Sequence, residues 1–193
     1  MPSPGQVRIR ISSPNGQVDE PIIDAYFKQL ENEIPRNVYG YGDISLSEVV
    51  GKLLLGNNYS LATAESCTGG HLAHQFTQNP GSSAYFLGGI LSYANQVKID
   101  QLGVSEAILT SDGAVSEECI KAMAIGVQKR LGSTFALATS GIAGPDGGTE
   151  DKPVGTVWIA LAHPTGVITR KLTLGGTRMQ NIYLSSLACV NLL

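Results

Sequence analysis

Tyr59-Ser60-Leu61-Ala62-Thr63-Ala64-Glu65-Ser66-Cys67-Thr68-Gly69-Gly70-His71-Leu72-Ala73-His74-Gln75-Phe76 decides how this chain folds. Its first six residues read as a short buried strand, and from Gly70 onward the apolar residues are spaced as on one face of a helix. Between them, Ser66, Cys67 and Thr68 place three adjacent hydroxyl or thiol groups on the turn. A strand-to-helix turn exposes its side chains, and the unpaired N–H groups of the helix's first turn can hold an anion or oxyanion. Ser66 or Cys67 can be a nucleophile there. Ser66 and Thr68 can equally do no more than cap the helix.

Working outward, the same alternation repeats. Tyr85 to Leu91 reads as a second strand feeding a helix near 94–102. Ser116 opens a helix that buries Ile120, Met123, Ala124 and Val127 and ends at Gly132, and Phe135 to Thr139 is a third, fully buried strand. Val157 to Ala162 and Val167 to Leu174 are joined by the short turn His163-Pro164-Thr165-Gly166 and read as an antiparallel hairpin, with a last helix from about 178. The pattern predicts an α/β fold, a three-layer α/β/α sandwich on a mixed, mostly parallel sheet with the hairpin at one edge.

Upstream, Ser45-Leu46-Ser47-Glu48 has capping-box spacing and opens a helix with Val49, Val50, Leu53 and Leu54 inward. The first 44 residues differ. Val7 to Ile11 alternates like a half-exposed strand, and Asp19 precedes a helix with Ile23, Phe27, Leu30 and Ile34 on one face. A turn-rich linker follows, at Pro35-Arg36-Asn37 and Gly40-Tyr41-Gly42-Asp43. The boundary between a 1–44 appendage and a 45–193 domain therefore falls near residue 44.

The 193 residues suffice for one full α/β domain and a short appendage. Charged residues are only 15% and the net charge is -3, so the composition offers no basic surface for nucleic acid. Cys67, Cys119 and Cys189 are odd in number and far apart, which suits a reduced, cytoplasmic protein rather than a zinc site. The opening Met1-Pro2-Ser3-Pro4-Gly5 has no secretion-signal pattern, and no apolar run approaches the roughly 20 residues that span a membrane. His71, His74 and His163 offer no metal spacing beyond one i, i+3 pair, so no metal and no cofactor is expected.

In an open α/β sheet, ligands bind at the carboxyl ends of the strands. Three ends carry chemistry: Glu65 to Gly70, Ser92 to Lys98, and Ser140 to Thr149 continuing to Gly155. Tyr93 and Lys98 are five apart, roughly 140° on one continuous helix. If Tyr93 ends the strand and Lys98 enters the helix, both can reach one cleft. A serine hydroxyl needs a base to take its proton, and a desolvated lysine can serve, with Tyr93 relaying or donating a proton. The glycines of the third loop can present backbone N–H groups to a phosphate. Neither a Walker A loop nor a dinucleotide fingerprint is present. Cys67 reads as a small buried filler beside Ser66.

Carrying these motifs together, the chain resembles the C-terminal domain of the competence/damage-inducible protein CinA, the family that includes stand-alone nicotinamide mononucleotide deamidases. The resemblance covers about residues 45–193. It runs through Ala-Glu-Ser-Cys-Thr-Gly-Gly at 64–70, Ser-Tyr-Ala-Asn-Gln-Val-Lys at 92–98, Leu102-Gly103-Val104, Thr139 to Pro145, Gly147-Gly148-Thr149, Lys152 to Val157 and Gly176-Thr177-Arg178. It implies an amidohydrolase that converts nicotinamide mononucleotide and water to nicotinate mononucleotide and ammonia, with Ser66 as nucleophile and Tyr93 and Lys98 as its proton-handling partners. The residues it implies for substrate, oxyanion and phosphate contacts are Glu65, Thr68, Gly69, Gly70, Asn95, Ser140, Gly141, Ala143, Gly144 and Arg178. The substrate is a small nucleotide, and neither nucleic acid nor membrane is an expected partner.

Residues 1–44 resemble the tail of the connecting domain that, in long family members, joins this domain to a molybdopterin-binding-like one, whose pyrophosphatase activity is not expected here. The last helix carries few charges, as a packed homo-oligomer interface, most simply a dimer, would explain. The competing reading is a nucleotide-binding or regulatory module with little turnover. A Tyr/Lys oxidoreductase is opposed by the five-residue spacing and the missing fingerprint.

Overall fold

The computed structural model describes residues 5–35 and 37–193, so Met1 to Pro4 and Arg36 of the linker lie outside the described residues. Five strands, β1 (Leu61–Glu65), β2 (Phe86–Leu91), β3 (Phe135–Gly141), β4 (Thr156–His163) and β5 (Gly166–Thr173), form one sheet in the order β2-β1-β3-β4-β5. β2, β1 and β3 run parallel, and β4 and β5 add the antiparallel hairpin edge. This is the mixed three-layer α/β/α sandwich that the alternation predicts.

Strand side chains alternate between faces, and here the alternation sorts by size. Leu61, Leu137, Val157, Ile159 and Leu161 point to one face and pack with Val50 and Leu54 of α2 (Leu46–Gly56), Leu72 and Phe76 of α3 (His71–Thr77) and Val190 of α7 (Arg178–Val190). Ala62, Ala64, Ala136, Ala138, Ala160 and Ala162 point to the other, so α6 (Glu117–Leu131) can lie close on a nearly smooth sheet through Ile120, Met123, Ala124 and Val127. Leu102, ending α4 (Asn95–Leu102), joins that second layer. Ser116 caps α6 by accepting from the Cys119 N–H, and Gly132 closes it in the left-handed region.

Several expectations change. A helix α5 (Glu106–Ser111), capped by Ser105, lies between α4 and α6, where the sequence pattern gave no element. At α2, Ser45 accepts from Glu48 N–H as predicted, but Glu48 pairs with Lys52 at 2.9 Å. Its buried face is Ser47, Val50, Gly51 and Leu54, a 3.6-residue period that leaves Leu53 59% exposed. The final helix is poor in charge because its own fold buries it: Asn181, Ser185, Ser186, Leu187, Cys189 and Val190 are all covered within the chain. An oligomer interface is not needed to explain that composition.

The appendage forms its helix, α1 (Glu20–Glu33), but no residue of α1 is buried; Ile23, Phe27 and Leu30 are half-covered and Ile34 is exposed. Val7 to Ile11 is not a strand. Alternation supplies a candidate face, but a strand forms only with a neighbour to complete its ladder, and none of the five strands pairs with Val7 to Ile11. Every residue of the two core clusters comes from Leu46 or later. No helix among the described residues is long and apolar enough to cross a membrane.

Candidate active site

Parallel register builds the site. Glu65 of β1 stands beside Leu91 of β2 and Thr139 of β3, so the next residue of each strand, Ser66, Ser92 and Ser140, emerges at the same sheet edge. Backbone hydrogen bonds extend the ladder one step further: Ser66 N–H donates to Thr139 O at 3.0 Å and Ser92 N–H to Glu65 O at 2.7 Å. The chain winds outward from β1 in both directions, which opens a crevice at this edge.

Lys98, on α4, reaches back into this edge. Its Nζ donates to Ser66 Oγ at 3.2 Å, to the Ser92 carbonyl at 2.7 Å and to the Tyr93 carbonyl at 3.3 Å. Lys98 is only 1% exposed and Ser66 9%. Burial pushes the Lys98 ammonium below the ordinary lysine value, while the neighbouring thiols of Cys119 and Cys67 act in the opposite sense. A lysine held in this way can exist as the neutral amine and accept a proton from the serine it touches.

Tyr93 is placed differently from expectation. Its carbonyl meets Lys98, but its side chain is 60% exposed and its hydroxyl accepts from Arg178 Nη2 at 3.1 Å. Arg178, the first residue of α7, also donates from Nη1 to the Gly144 carbonyl at 2.7 Å. Together they border a cleft of about 230 Å³ lined by Cys67, Tyr93, Gly141 to Gly144, Asp146, Gly147 and Arg178. Cys67 stands in this cleft next to Ser66, but its thiol is pushed up to about 12, chiefly by burial and further by Glu65. At neutral pH it is a thiol and a poor nucleophile.

The other expected contacts divide. Gly141, Ala143 and Gly144 line the cleft, and Gly144 holds a φ of 88° that side-chain-bearing residues seldom adopt. Asn95 opens α4, exposed and outside the cleft lining. The Ser140 hydroxyl is turned away, donating to the Ala114 carbonyl at 2.7 Å, so it fixes the loop rather than facing a ligand. Thr68 and Glu65 are buried and bonded to one another at 2.6 Å. Glu65 also accepts from the N–H groups of Gly70, Leu72 and Ala73, so the start of α3, expected to receive an anion, is filled by the protein's own carboxylate. The N–H groups of Cys67 and Thr68, directly after Ser66, make no hydrogen bond to another of the described residues. In a strand-to-helix elbow, the N–H following the nucleophile is where an oxyanion is held.

Asn181 was not legible in the sequence. Fully buried, it donates to the Ala143 and Gly176 carbonyls and accepts from Gly176 N–H, fastening the cleft loop to the start of α7. Its only signal is a polar side chain on the inner face of a helix, recognisable once that face is known. His71 bonds Ser186 at 2.9 Å and ties α3 to α7, burial lowering its basicity. Among the described residues, no three His, Cys, Asp or Glu side chains gather as a metal-binding group.

Fold and site together define an α/β domain with a buried serine on a strand-to-helix turn, in contact with a buried lysine from α4. The CinA C-terminal domain family model matches residues 43–193, and the chain belongs to that family. A CinA-like protein of Cytophaga hutchinsonii is 45% identical over 195 residues, covering 100% of this chain and 46% of its own length. A CinA-like protein of Synechocystis is 45% identical over 176 residues, 90% of this chain and 42% of the relative. The chain thus spans less than half the length of these curated relatives. Among solved structures, the competence/damage inducible protein CihA of Agrobacterium tumefaciens superposes with a TM-score of 0.75 at 36% identity, covering 76% of this chain and 90% of that one. A CinA superfamily protein of Escherichia coli gives 0.75 at 29%, covering 83% and 98%.

Proposed function

We propose that this domain is an amidohydrolase that converts nicotinamide mononucleotide and water to nicotinate mononucleotide and ammonia, serving pyridine nucleotide recycling. The observation that carries the reading is the 3.2 Å contact between Lys98 Nζ and Ser66 Oγ, both side chains buried beside the cleft residue Cys67. Neutral Lys98 takes the serine proton as Oγ bonds to the carboxamide carbon. The carbonyl electrons move onto oxygen, and the Cys67 and Thr68 N–H groups can donate hydrogen bonds to the oxyanion so formed. Collapse breaks the C–N bond, and the proton on Lys98 leaves with the amide nitrogen as ammonia. Water then attacks the acyl-serine through the same base, releasing the carboxylate product and restoring Ser66. Arg178 and Tyr93, joined across the cleft mouth, and the glycine-rich wall from Gly141 to Gly147 are suited to the nucleotide's phosphate and ribose. Incubating the purified chain with nicotinamide mononucleotide, and following ammonia and a product heavier by the exchange of NH2 for OH, tests the reading. Absence of both, with folded protein, refutes it.

A further inference from the structure

We propose that Glu65 is the positioning residue of the nucleophile turn: its buried carboxylate fixes where Ser66 stands by filling the donors at the start of α3. The inference rests on the reading of Ser66 as nucleophile. Glu65 is 2% exposed. Its Oε2 accepts from Thr68 Oγ1 at 2.6 Å and from the N–H groups of Gly70 and Leu72, each at 3.0 Å, and its Oε1 accepts from Ala73 N–H at 2.8 Å. Thr68 has one hydroxyl proton and spends it on Glu65, so at their 2.6 Å contact Thr139 must be the donor to Thr68. A directed chain results, from Thr139 through Thr68 to Glu65.

The main chain closes the circuit. Thr139 O receives the Ser66 N–H, Glu65 O receives the Ser92 N–H, and Ser92 O receives Lys98 Nζ. Ser66 is thereby referred to the Glu65 carboxylate through Thr139 and Thr68, whereas Lys98 is referred to Glu65 through its main-chain carbonyl, which a side-chain substitution leaves in place. Four donors converge on one buried side chain, and the two that are themselves buried, Thr68 Oγ1 and Leu72 N–H, would be left unmet if the carboxylate were lost. Glutamine has the same shape but a single acceptor oxygen, and its NH2 would face an N–H it cannot satisfy. The turn would then relax away from the geometry that presents Ser66.

The test compares the full chain with its Glu65→Gln, Thr68→Val and Thr68→Ser variants and the Glu65→Gln/Thr68→Val double variant. Deamidation is measured well below each unfolding midpoint, and amide hydrogen exchange is followed over residues 66–76. Glu65→Gln is expected to lower kcat about a hundredfold with KM changed less than about threefold, since a displacement near 1 Å has that effect on rate. The pH at half-maximal rate stays in place, because Lys98 remains the titrating base, and exchange quickens within 66–76. Thr68→Val gives the same pattern more weakly, Thr68→Ser restores wild-type behaviour, and the double variant is no worse than Glu65→Gln alone because both cut the same chain. Wild-type kcat in folded Glu65→Gln overturns the proposal. So does a loss confined to KM, which would make Glu65 a substrate ligand. A wild-type chain that releases no ammonia defeats the deamidase reading alone; unchanged exchange at 66–76 in Glu65→Gln then defeats this one. Should Glu65→Gln fail to fold, Thr68→Val carries the same measurements.

Discussion

Replacing Lys98 by alanine removes the only side-chain donor on Ser66 Oγ among the described residues, together with the donor to two strand-end carbonyls. Loss of a positioned base costs about 10²–10⁴ in rate, or roughly 3–5 kcal/mol of barrier. Because Lys98 is 1% exposed and, like Ser66, is not among the residues lining the cleft, the loss should fall on kcat and leave substrate affinity little changed. The pH dependence gives a second handle. Burial lowers the folded-state pKa of Lys98, so the rate should rise with pH through a value below that of ordinary lysine. Stability follows by linkage. The unfolded chain holds this proton more tightly than the folded one, so below the ordinary lysine pKa stability falls with falling pH, until the folded Lys98 is also protonated. Lys98→Met keeps the bulk and should abolish that slope. Steady-state ammonia release from pH 6 to 10, with denaturant unfolding over about the same range, measures both. Lys98→Ala turning over at the wild-type rate while binding the nucleotide weakly would refute the assignment and make Lys98 a substrate clamp. Lys98→Arg separates charge from basicity, since arginine keeps the first and cannot supply the second at ordinary pH.

Ser66→Ala should abolish turnover and leave nucleotide binding measurable by calorimetry, whereas Cys67→Ala should lose far less; the reverse order would identify the sulfur as the nucleophile. Turnover should survive exhaustive chelation, and loss restored by one divalent ion would sink the serine–lysine scheme as written. Gly144→Ala should destabilise the fold by roughly 1–2 kcal/mol, from the left-handed φ alone. Its new Cβ would also stand 2.5 Å from Val154 Cγ1, so KM should rise as the cleft wall shifts. An unchanged melting temperature and KM would show that the wall tolerates the methyl. Arg178→Met should raise KM more than it lowers kcat, because Arg178 braces the Gly144 carbonyl and Tyr93 and does not touch Ser66 or Lys98; a kcat-only defect would place it in the chemical step.

Periodicity and turn residues are local, and whatever depended on them alone was readable from the sequence. The five strands, the helices from Leu46 onward apart from α5, the caps at Ser45 and Ser116 and the turn holding Ser66 all lie within a few residues of their signals. Two of the failures share one cause. Val7 to Ile11 had a strand's alternation but no neighbour, and the last helix looked short of charge only until the sheet was placed against it. The candidate site divides along the same line. Ser66, Tyr93 and Lys98 could be named from their residue types and order, but their mutual arrangement could not. Parallel register, a contact between residues 74 positions apart such as Leu61 and Phe135, brings the three strand ends together. It sets Lys98 rather than the Tyr93 phenol on Ser66. It also turns Glu65 from an expected substrate contact into an internal hydrogen-bond acceptor, because only the folded chain brings four donors around one side chain. Side-chain chemistry is written in the sequence one residue at a time; proximity between distant residues, and the burial that shifts their proton affinities, exists only in the tertiary structure.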